Sequence, residues 1–401
     1  MRRSFLALQG TASPFFRQLA SKLIDRGHTF ERVNFCGGDL IYGGRETTHN
    51  FGGRSSDLPL WYEQRIARSA ATDVIMFGDC REVHRHMHPL AAANGIRVHV
   101  FEEGYVRPHW ITLERYGVNG RSLLSRDPDW YREQRNVTPP SPLGLETGYN
   151  LRERAYHDIR YRLANGLLAV RFPHYKSHRP CNGLLEYTGL ASRQLRQRAY
   201  HADAEQKMHE LLAANARYYL LPLQLNSDSQ IVVHSPFDTI AQVVERVFAS
   251  FAAHAPADTL LVVKNHPLDS GLVDHRRHAL KVAREWGVLE RVRFLDGGHL
   301  PTLLDHALGV VVVNSTVGLS ALHHGRPLIA LGDAIYSMAG LTWQHDLDDF
   351  WRYSHAPDMI LYSAFLDYVV HHTQINGDFY TKSGIRMAID AVVKRFEKAD
   401  G

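Results

Sequence analysis

Cysteine is scarce in this chain of 401 residues: Cys36, Cys80 and Cys181 are odd in number, scattered and without metal-ligand spacing. That argues against a disulfide framework and a thiolate metal site, and it suits a reducing cytoplasm. No apolar run is long enough to span a bilayer. The start, with Arg2 and Arg3 ahead of a short apolar stretch, is too brief for a secretory signal and reads as a first strand. Low-complexity tracts and obvious repeats are lacking. The net charge of +4 is too mild to point to nucleic acid. There is no Walker loop, no Gly-x-Gly-x-x-Gly and no Asp-x-Asp of the kind that holds a metal for nucleotide sugars. The 25 histidines include the pairs His323-His324 and His371-His372, which lack the helical spacing of a metal motif.

What is present is a soluble composition, 44% hydrophobic and 22% charged, and enough length for two α/β domains. The chain is organised around residues 310–322. Val310 to Val313 is the unbroken β-branched run of a strand buried on both faces, as in a parallel sheet. Asn314-Ser315-Thr316 then interrupts it, and small and apolar residues suit a helix as far as Gly325. A strand, a hydroxyl turn and a helix start together form an anion site; a plain helix cap at Ser315 is the alternative.

The same alternation runs along the rest of the chain. Strands are expected at residues 5–9, 30–35, 73–78, 96–101, 218–224, 260–264, 292–295 and 328–331. Helices are expected after Ser13-Pro14, with Ser13 as cap, over 82–94, from 240 to about 254, over 300–305, and from 350 to the end. This is a βαβ rhythm, repeated after a long interruption. The division expected is an N-terminal domain over 1–205 carrying a basic insert at 121–200, and a C-terminal domain over 206–401.

Polar groups cluster where strands end, which is where open α/β sheets bind ligands. Glu102-Glu103 closes the strand at 96–101, and adjacent residues on a strand point to opposite sides, so at most one glutamate faces a given cleft. Solvated turn charges are the alternative. His266-Pro267 follows the strand at 260–264, and the turn that closes 218–224 carries Gln224 and Asp228. A histidine and a hydroxyl turn on neighbouring strands can hold a phosphate, and a carboxylate across the cleft can do acid/base work on a hydroxyl. Residues 151–200 hold ten Arg or Lys against three Asp or Glu, interleaved with tyrosines and aliphatics. Such a stretch is either a solvated basic face or a surface that meets anionic headgroups, through Arg160, Arg162 and Arg171 among others.

Taken in order, Glu102-Glu103-Gly104, His266-Pro267 and Asn314-Ser315-Thr316 resemble the acidic-acidic-Gly, His-Pro and Ser-Ser/Thr motifs of bacterial sialyltransferases that use CMP-sugars. The wider resemblance is to the capsule polysaccharide biosynthesis/export family of the KpsS/LipB type. It rests on Phe101 to Thr112, Leu221-Pro222-Leu223-Gln224 with Asp228, Lys264 to Pro267, and Asn314 to Gly318, and it covers roughly residues 5–365.

The resemblance implies a GT-B-like pair of Rossmann-type domains facing a central cleft, and a retaining transferase that moves β-Kdo from CMP-Kdo to phosphatidylglycerol. Asp228 matches the nucleophile, and Glu102 or Glu103 the acid/base. Gln224, His266, Pro267, Asn314, Ser315 and Thr316 match the donor site. No cofactor or metal is expected. The resemblance also implies a Gram-negative cytoplasmic enzyme lying peripherally on the inner membrane. Its partners would be a second capsule Kdo transferase and the export machinery, with no nucleic acid. A single catalytic module implies a single transfer. Two other readings are an inverting CMP-sialic acid transferase, against which Gln224-x-x-x-Asp228 argues, and a non-catalytic export protein that binds the capsule lipid.

Overall fold

The computed structural model describes residues 2–177, 183–225, 229–269 and 271–398. Asp228 and Cys181 lie outside the described residues. The chain forms two compact units: Met1–Leu123 with Pro140–His178 and Tyr368–Gly401, and Leu124–Pro139 with Arg179–Asp367. The units therefore do not divide at 205/206. The last segment rejoins the first unit, and the helix that spans residue 205 belongs wholly to the second.

The first unit holds strands β1 (Ser4–Ala7), β2 (Thr29–Asn34), β3 (Thr47–Asn50), β4 (Asp73–Phe77), β5 (Arg97–Glu103), β6 (Trp110–Arg115) and β12 (Gln374–Asn376). Their order is β12-β6-β5-β4-β1-β2-β3. β1 to β5 pair in parallel, while β6 and β12 are antiparallel additions at one edge. Its helices are α1 (Phe15–Asp25), α2 (Gly37–Ile41), α3 (Leu58–Ser69), α4 (Met87–Ala93), α6 (Leu151–Leu167) and α15 (Lys382–Lys398). One core packs α1 and α15 on one side of the sheet, through Phe15, Leu19, Leu23, Val392 and Phe396. Another lies under α3 and α4, through Tyr62, Ile66, Met87 and Ala91.

Boundaries differ from expectation where local chemistry overrides pattern. Pro14 rather than Ser13 occupies the N-cap of α1, and the Ser13 hydroxyl accepts from the Phe15 amide at 3.3 Å. α4 starts at Met87, because residues 81–86 form turns in which the His84 ring bonds Gly78 O at 2.5 Å.

The second unit holds β7 (Tyr218–Pro222), β8 (Leu260–Lys264), β9 (Val292–Leu295), β10 (Gly309–Val312) and β11 (Leu328–Ala330), all parallel, in the order β11-β10-β7-β8-β9. Around them run α5 (Pro128–Gln134), α7 (Gly183–Ala213), α8 (Ser229–His234), α9 (Ile240–His254), α10 (His275–Glu285), α11 (Leu300–His306), α12 (Val317–His323) and α13 (Leu347–Tyr353). α14 (Met359–Thr373) spans the boundary between the units. Every residue of β10 is buried, as a strand covered on both faces requires. Val243, Val244, Val247, Phe248 and Phe251 of α9 pack on this sheet, each contributing roughly 1.5–3 kcal/mol of burial. A capping box fixes the start of α9, with Thr239 Oγ1 accepting from the Gln242 amide at 3.3 Å.

Candidate functional site

In the second unit the strand order reverses between β7 and β10: the chain runs β7, β8, β9 to one side and then returns to place β10 and β11 on the other. Ligands of open α/β sheets bind at the carboxyl ends of strands at such a reversal. Gln224 follows β7, Asn314 follows β10 and His266 follows β8, so three motifs far apart in sequence end three adjacent strands. Gln224 and Asn314 bind each other in both directions. Gln224 Nε2 donates to Asn314 Oδ1 at 3.0 Å, and the Asn314 amide donates to Gln224 Oε1 at 3.3 Å. The Asn314 side chain also donates to His234 O at 3.3 Å, which ties in the end of α8.

The next two residues form the turn into α12. Ser315 Oγ accepts from the Val317 amide at 3.1 Å from one residue ahead of the N-cap, which is Thr316. Thr316 has helical dihedrals and makes no capping bond through its side chain. Tyr336 holds the turn from behind, its hydroxyl donating to Ser315 O at 2.6 Å. Gly318 is required by the same contact, since a Cβ there would collide with the Tyr336 ring and hydroxyl.

On the other flank Asn265 is buried and donates to Asp269 Oδ2 at 3.1 Å and Asp296 Oδ1 at 3.0 Å, while its own Oδ1 accepts from the His266 amide at 2.9 Å. His266 Nδ1 accepts from the Leu268 amide at 3.1 Å across the exposed Pro267, which puts the ring proton on Nε2. A half-buried imidazole oriented in this way is a donor at the mouth of the sheet.

In the first unit the reversal lies between β1 and β4. Arg81 bridges it, donating to Gln9 Oε1 at 3.1 Å and Gly10 O at 3.0 Å, and its guanidinium lies 5.1 Å from the Phe77 ring centroid. Asp79 is buried beside it. Its carboxylate accepts from Cys80 Sγ at 3.2 Å and lies 3.8 Å from Arg121. Burial, and then the Asp79 charge, push the Cys80 thiol far up, so it stays protonated.

The two glutamates at the end of β5 part company, as neighbours on a strand must. Glu102 lies over the end of β4, where its Oε2 sits 3.3 Å from the place a Cβ would take on Gly78, and its Oε1 accepts from the Glu103 amide at 3.0 Å. Glu103 turns the other way. Its Oε1 accepts from the Tyr380 hydroxyl at 3.0 Å and lies 3.4 Å from an Arg154 nitrogen, and that guanidinium stacks 5.0 Å from the Tyr380 ring. Burial raises the Tyr380 phenol well above its usual value, with Glu103 adding to the shift, so it is a donor throughout the ordinary pH range.

The loop that follows is anchored by Tyr105, whose hydroxyl donates to Glu114 Oε1 at 2.5 Å and accepts from the Asn119 amide at 2.7 Å. Gly104 lets the backbone pass Trp110 O, which a Cβ would strike.

Of the three arginines expected at a membrane, Arg160 and Arg171 are exposed. Arg162 is half-buried and paired with Asp158 at 2.9 Å.

Comparison with known proteins decides the family. Residues 72–380 match the model for capsule polysaccharide biosynthesis proteins. The chain belongs to that family.

Among curated relatives, it is 34% identical over 379 residues to the capsule polysaccharide export protein KpsS of Escherichia coli, covering 94% of this chain and 97% of that one. It is 33% identical over 389 residues to the capsule polysaccharide modification protein LipB of Neisseria meningitidis serogroup A, covering 94% and 92%. Among solved structures, the Thermosulfurimonas dismutans KpsC β-Kdo 2,7 transferase aligns over 98% of this chain and 99% of that one, at 14% identity and a TM-score of 0.45.

Several groups at the strand ends of each unit carried no motif signal. Tyr336, Tyr380, Arg154 and Arg81 reach their partners from remote segments and belong to no motif. Only Arg154 lay in a stretch singled out from the sequence, the basic residues 151–200.

Proposed function

We propose that this capsule biosynthesis protein is a retaining glycosyltransferase. It moves β-Kdo from CMP-Kdo to phosphatidylglycerol, and so starts the lipid anchor of a capsule at the cytoplasmic face of the inner membrane. The observation that carries the reading is the junction of Gln224, Asn314-Ser315 and His266 on three adjacent strand ends at a chain reversal. A donor imidazole and a braced hydroxyl turn suit the phosphate of a CMP leaving group. In this reading the second unit binds the donor and the first serves the acceptor, as in a GT-B enzyme.

The chemistry is a double displacement. The Asp228 carboxylate attacks the anomeric carbon, and the bond to the CMP phosphate oxygen breaks, giving a glycosyl ester and free CMP. The acceptor hydroxyl then gives its proton to Glu102 and attacks the same carbon, and the ester bond to Asp228 breaks. Glu102 is taken for this role because it lies over the end of β4, beside the chain reversal of the first unit, whereas Glu103 turns toward Tyr380 and Arg154. One module performs one transfer, and a second Kdo transferase and the export machinery would follow.

The test is release of CMP from CMP-Kdo in the presence of phosphatidylglycerol, followed by intact-protein mass. Asp228→Asn should abolish transfer while CMP affinity stays within a few-fold, and activity should survive EDTA. A sugar adduct on another residue would overturn the nucleophile. The description of the Escherichia coli relative as an export protein favours a second reading, a lipid-binding protein without catalysis. Binding of phosphatidylglycerol with no CMP release under any condition would establish it.

A further inference from the structure

Helix α6 is built inside out. A surface helix normally turns its apolar stripe to the core and its polar residues to water. In α6 the inward face is polar and hydrogen-bonded. Arg154 pairs with Glu103, the His157 ring bonds the Tyr42 hydroxyl at 2.8 Å, and Tyr161 donates to Asp39 Oδ1 at 2.7 Å. Asn165 Oδ1 accepts from the Gly38 amide at 2.6 Å. The backbones of α2 and α6 approach so closely there that a Cβ on Gly37 or Gly38 would strike Ala164 or Tyr161.

The outward face carries the aliphatic groups. Tyr156, Ile159, Leu163 and Leu167 recur at three- and four-residue spacing, so they form one stripe, and Val170 follows just past the helix. All five are exposed, Leu167 at 83% and Val170 at 94%. Isolated exposed aliphatics need no explanation, but a stripe on one helix face does.

The charges around this stripe identify what covers it. Arg152, Arg160, Arg171 and Lys176 are exposed, whereas residues 151–176 hold only two acids, and one of these, Asp158, is paired with Arg162. An aliphatic stripe bordered by long cationic side chains is the pattern of a helix lying in the plane of an anionic membrane. The aliphatics enter the acyl boundary and the arginines reach headgroup phosphates. A second copy of this chain would set the same positive charge against itself, which is costly.

We propose that the outward face of α6, continued through Val170 and Arg171, is a membrane-docking surface for anionic phospholipid. This deepens the lipid-acceptor reading above, which gives an enzyme of this kind a reason to lie on a bilayer, but its test does not pass through the reaction.

The experiment is vesicle sedimentation of the full chain, with phosphatidylcholine alone and with added phosphatidylglycerol, at low and high salt. The variant combines Ile159→Asn, Leu163→Asn and Leu167→Asn. All three positions are exposed, so circular dichroism and thermal melting should match the wild type. The wild type should pellet with the anionic vesicles and only weakly with the neutral ones. The variant should bind the anionic vesicles at least about thirtyfold more weakly, from the apolar area withdrawn. Salt should weaken the wild type only in part, since screening acts on the arginines and not on the aliphatics.

Failure of the wild type to bind anionic vesicles, or equal binding by both proteins, would overturn the proposal. So would a wild-type dimer in analytical ultracentrifugation that the variant loses while vesicle binding is unchanged, because the stripe would then be covered by a second copy. Vesicle binding that the variant loses, together with no CMP release from CMP-Kdo, would leave the docking surface standing and remove the transferase reading alone.

Discussion

Glu102 and Glu103 differ by one position in sequence and by everything that surrounds them. Glu103 accepts a hydrogen bond from a buried phenol and an ion pair from Arg154, so its charge is already spent on holding α6 and the 380 region to the sheet edge. Glu102 lies beside Gly78, where a chain reversal opens the sheet, and that is the place for a group that must take a proton from a substrate. Glu102→Gln should therefore lower kcat by about 10²–10⁴, the usual worth of a general acid/base. Glu103→Gln keeps an acceptor for Tyr380 but loses the charge facing Arg154, and should cost about 1 kcal/mol of stability with a much smaller change in rate. Steady-state kinetics and thermal melts of the two variants decide the matter. A larger kcat loss in Glu103→Gln would exchange the roles. The sequence showed that the pair must diverge, because strand geometry forces it. Which member faces Tyr380 was not legible, because Tyr380 lies some 277 residues away along the chain.

At the scale of elements, the strands that were legible are those buried on both faces. The valines of β10 and the aliphatic run of β8 leave little room for another assignment, because a helix made of them would bury no distinct face. β12 was not legible. Its three residues, Gln374-Ile375-Asn376, continue α14 in pattern and become a strand only by pairing with β6, while Gln374 Oε1 also accepts from the Tyr105 amide at 3.0 Å. α6 was not placed for the opposite reason: residues 151–200 read only as a solvated basic face or a membrane surface, because the aliphatics of the helix point outward and mark no core-facing stripe.

The Asn314-Ser315-Thr316 turn was legible as a motif, but its support was not. That support yields a prediction at this scale. Gly318→Ala drives a methyl into Tyr336, an overpacking that should cost roughly 1–3 kcal/mol. The displaced Tyr336 would release Ser315 O and disturb the turn. CMP affinity, measured by titration calorimetry, should fall about tenfold or more, in line with the loss of a hydrogen bond to a charged group. Unchanged CMP affinity in a folded Gly318→Ala protein would separate this turn from the donor phosphate.

For the molecule as a whole, the first unit is assembled from both ends of the chain, and one buried carboxylate closes it. Asp73 receives Arg3 at 2.5 and 2.9 Å, Arg97 at 2.9 Å, His99 at 2.8 Å and the Thr72 hydroxyl at 2.6 Å. The same Arg3 reaches Phe396 O at 2.8 Å, so the cluster joins the start of β1 to α15. Burial alone would raise Asp73, but hydrogen bonds from His99, Arg3, Thr72 and Arg97 outweigh it and hold the carboxyl far below its ordinary value. A depressed carboxylate stabilises the fold above its unfolded value, near about 3.9, and loses that contribution as pH falls toward the folded value.

His99 and His84 act earlier. Burial lowers both, against the pull of Asp73 on His99 and with the help of Arg81 on His84, so below about 6.5 the unfolded chain binds protons that the folded chain refuses. Stability should thus be level around pH 7–8, decline progressively as pH falls below about 6.5 through the histidines, and drop further below about 4 through Asp73. Hydrogen exchange of β1 and α15 amides across this range reads the first unit directly, without assuming that both units unfold together. Asp73→Asn should cost roughly 3–5 kcal/mol at neutral pH, because it leaves a buried guanidinium without its charge partner, and the steep loss below pH 4 should largely disappear. Exchange in β1 and α15 that stays flat down to pH 4 in the wild type would show that the histidines do not report on folding. An Asp73→Asn protein as stable as the wild type would show that the two ends of the chain are joined by packing alone.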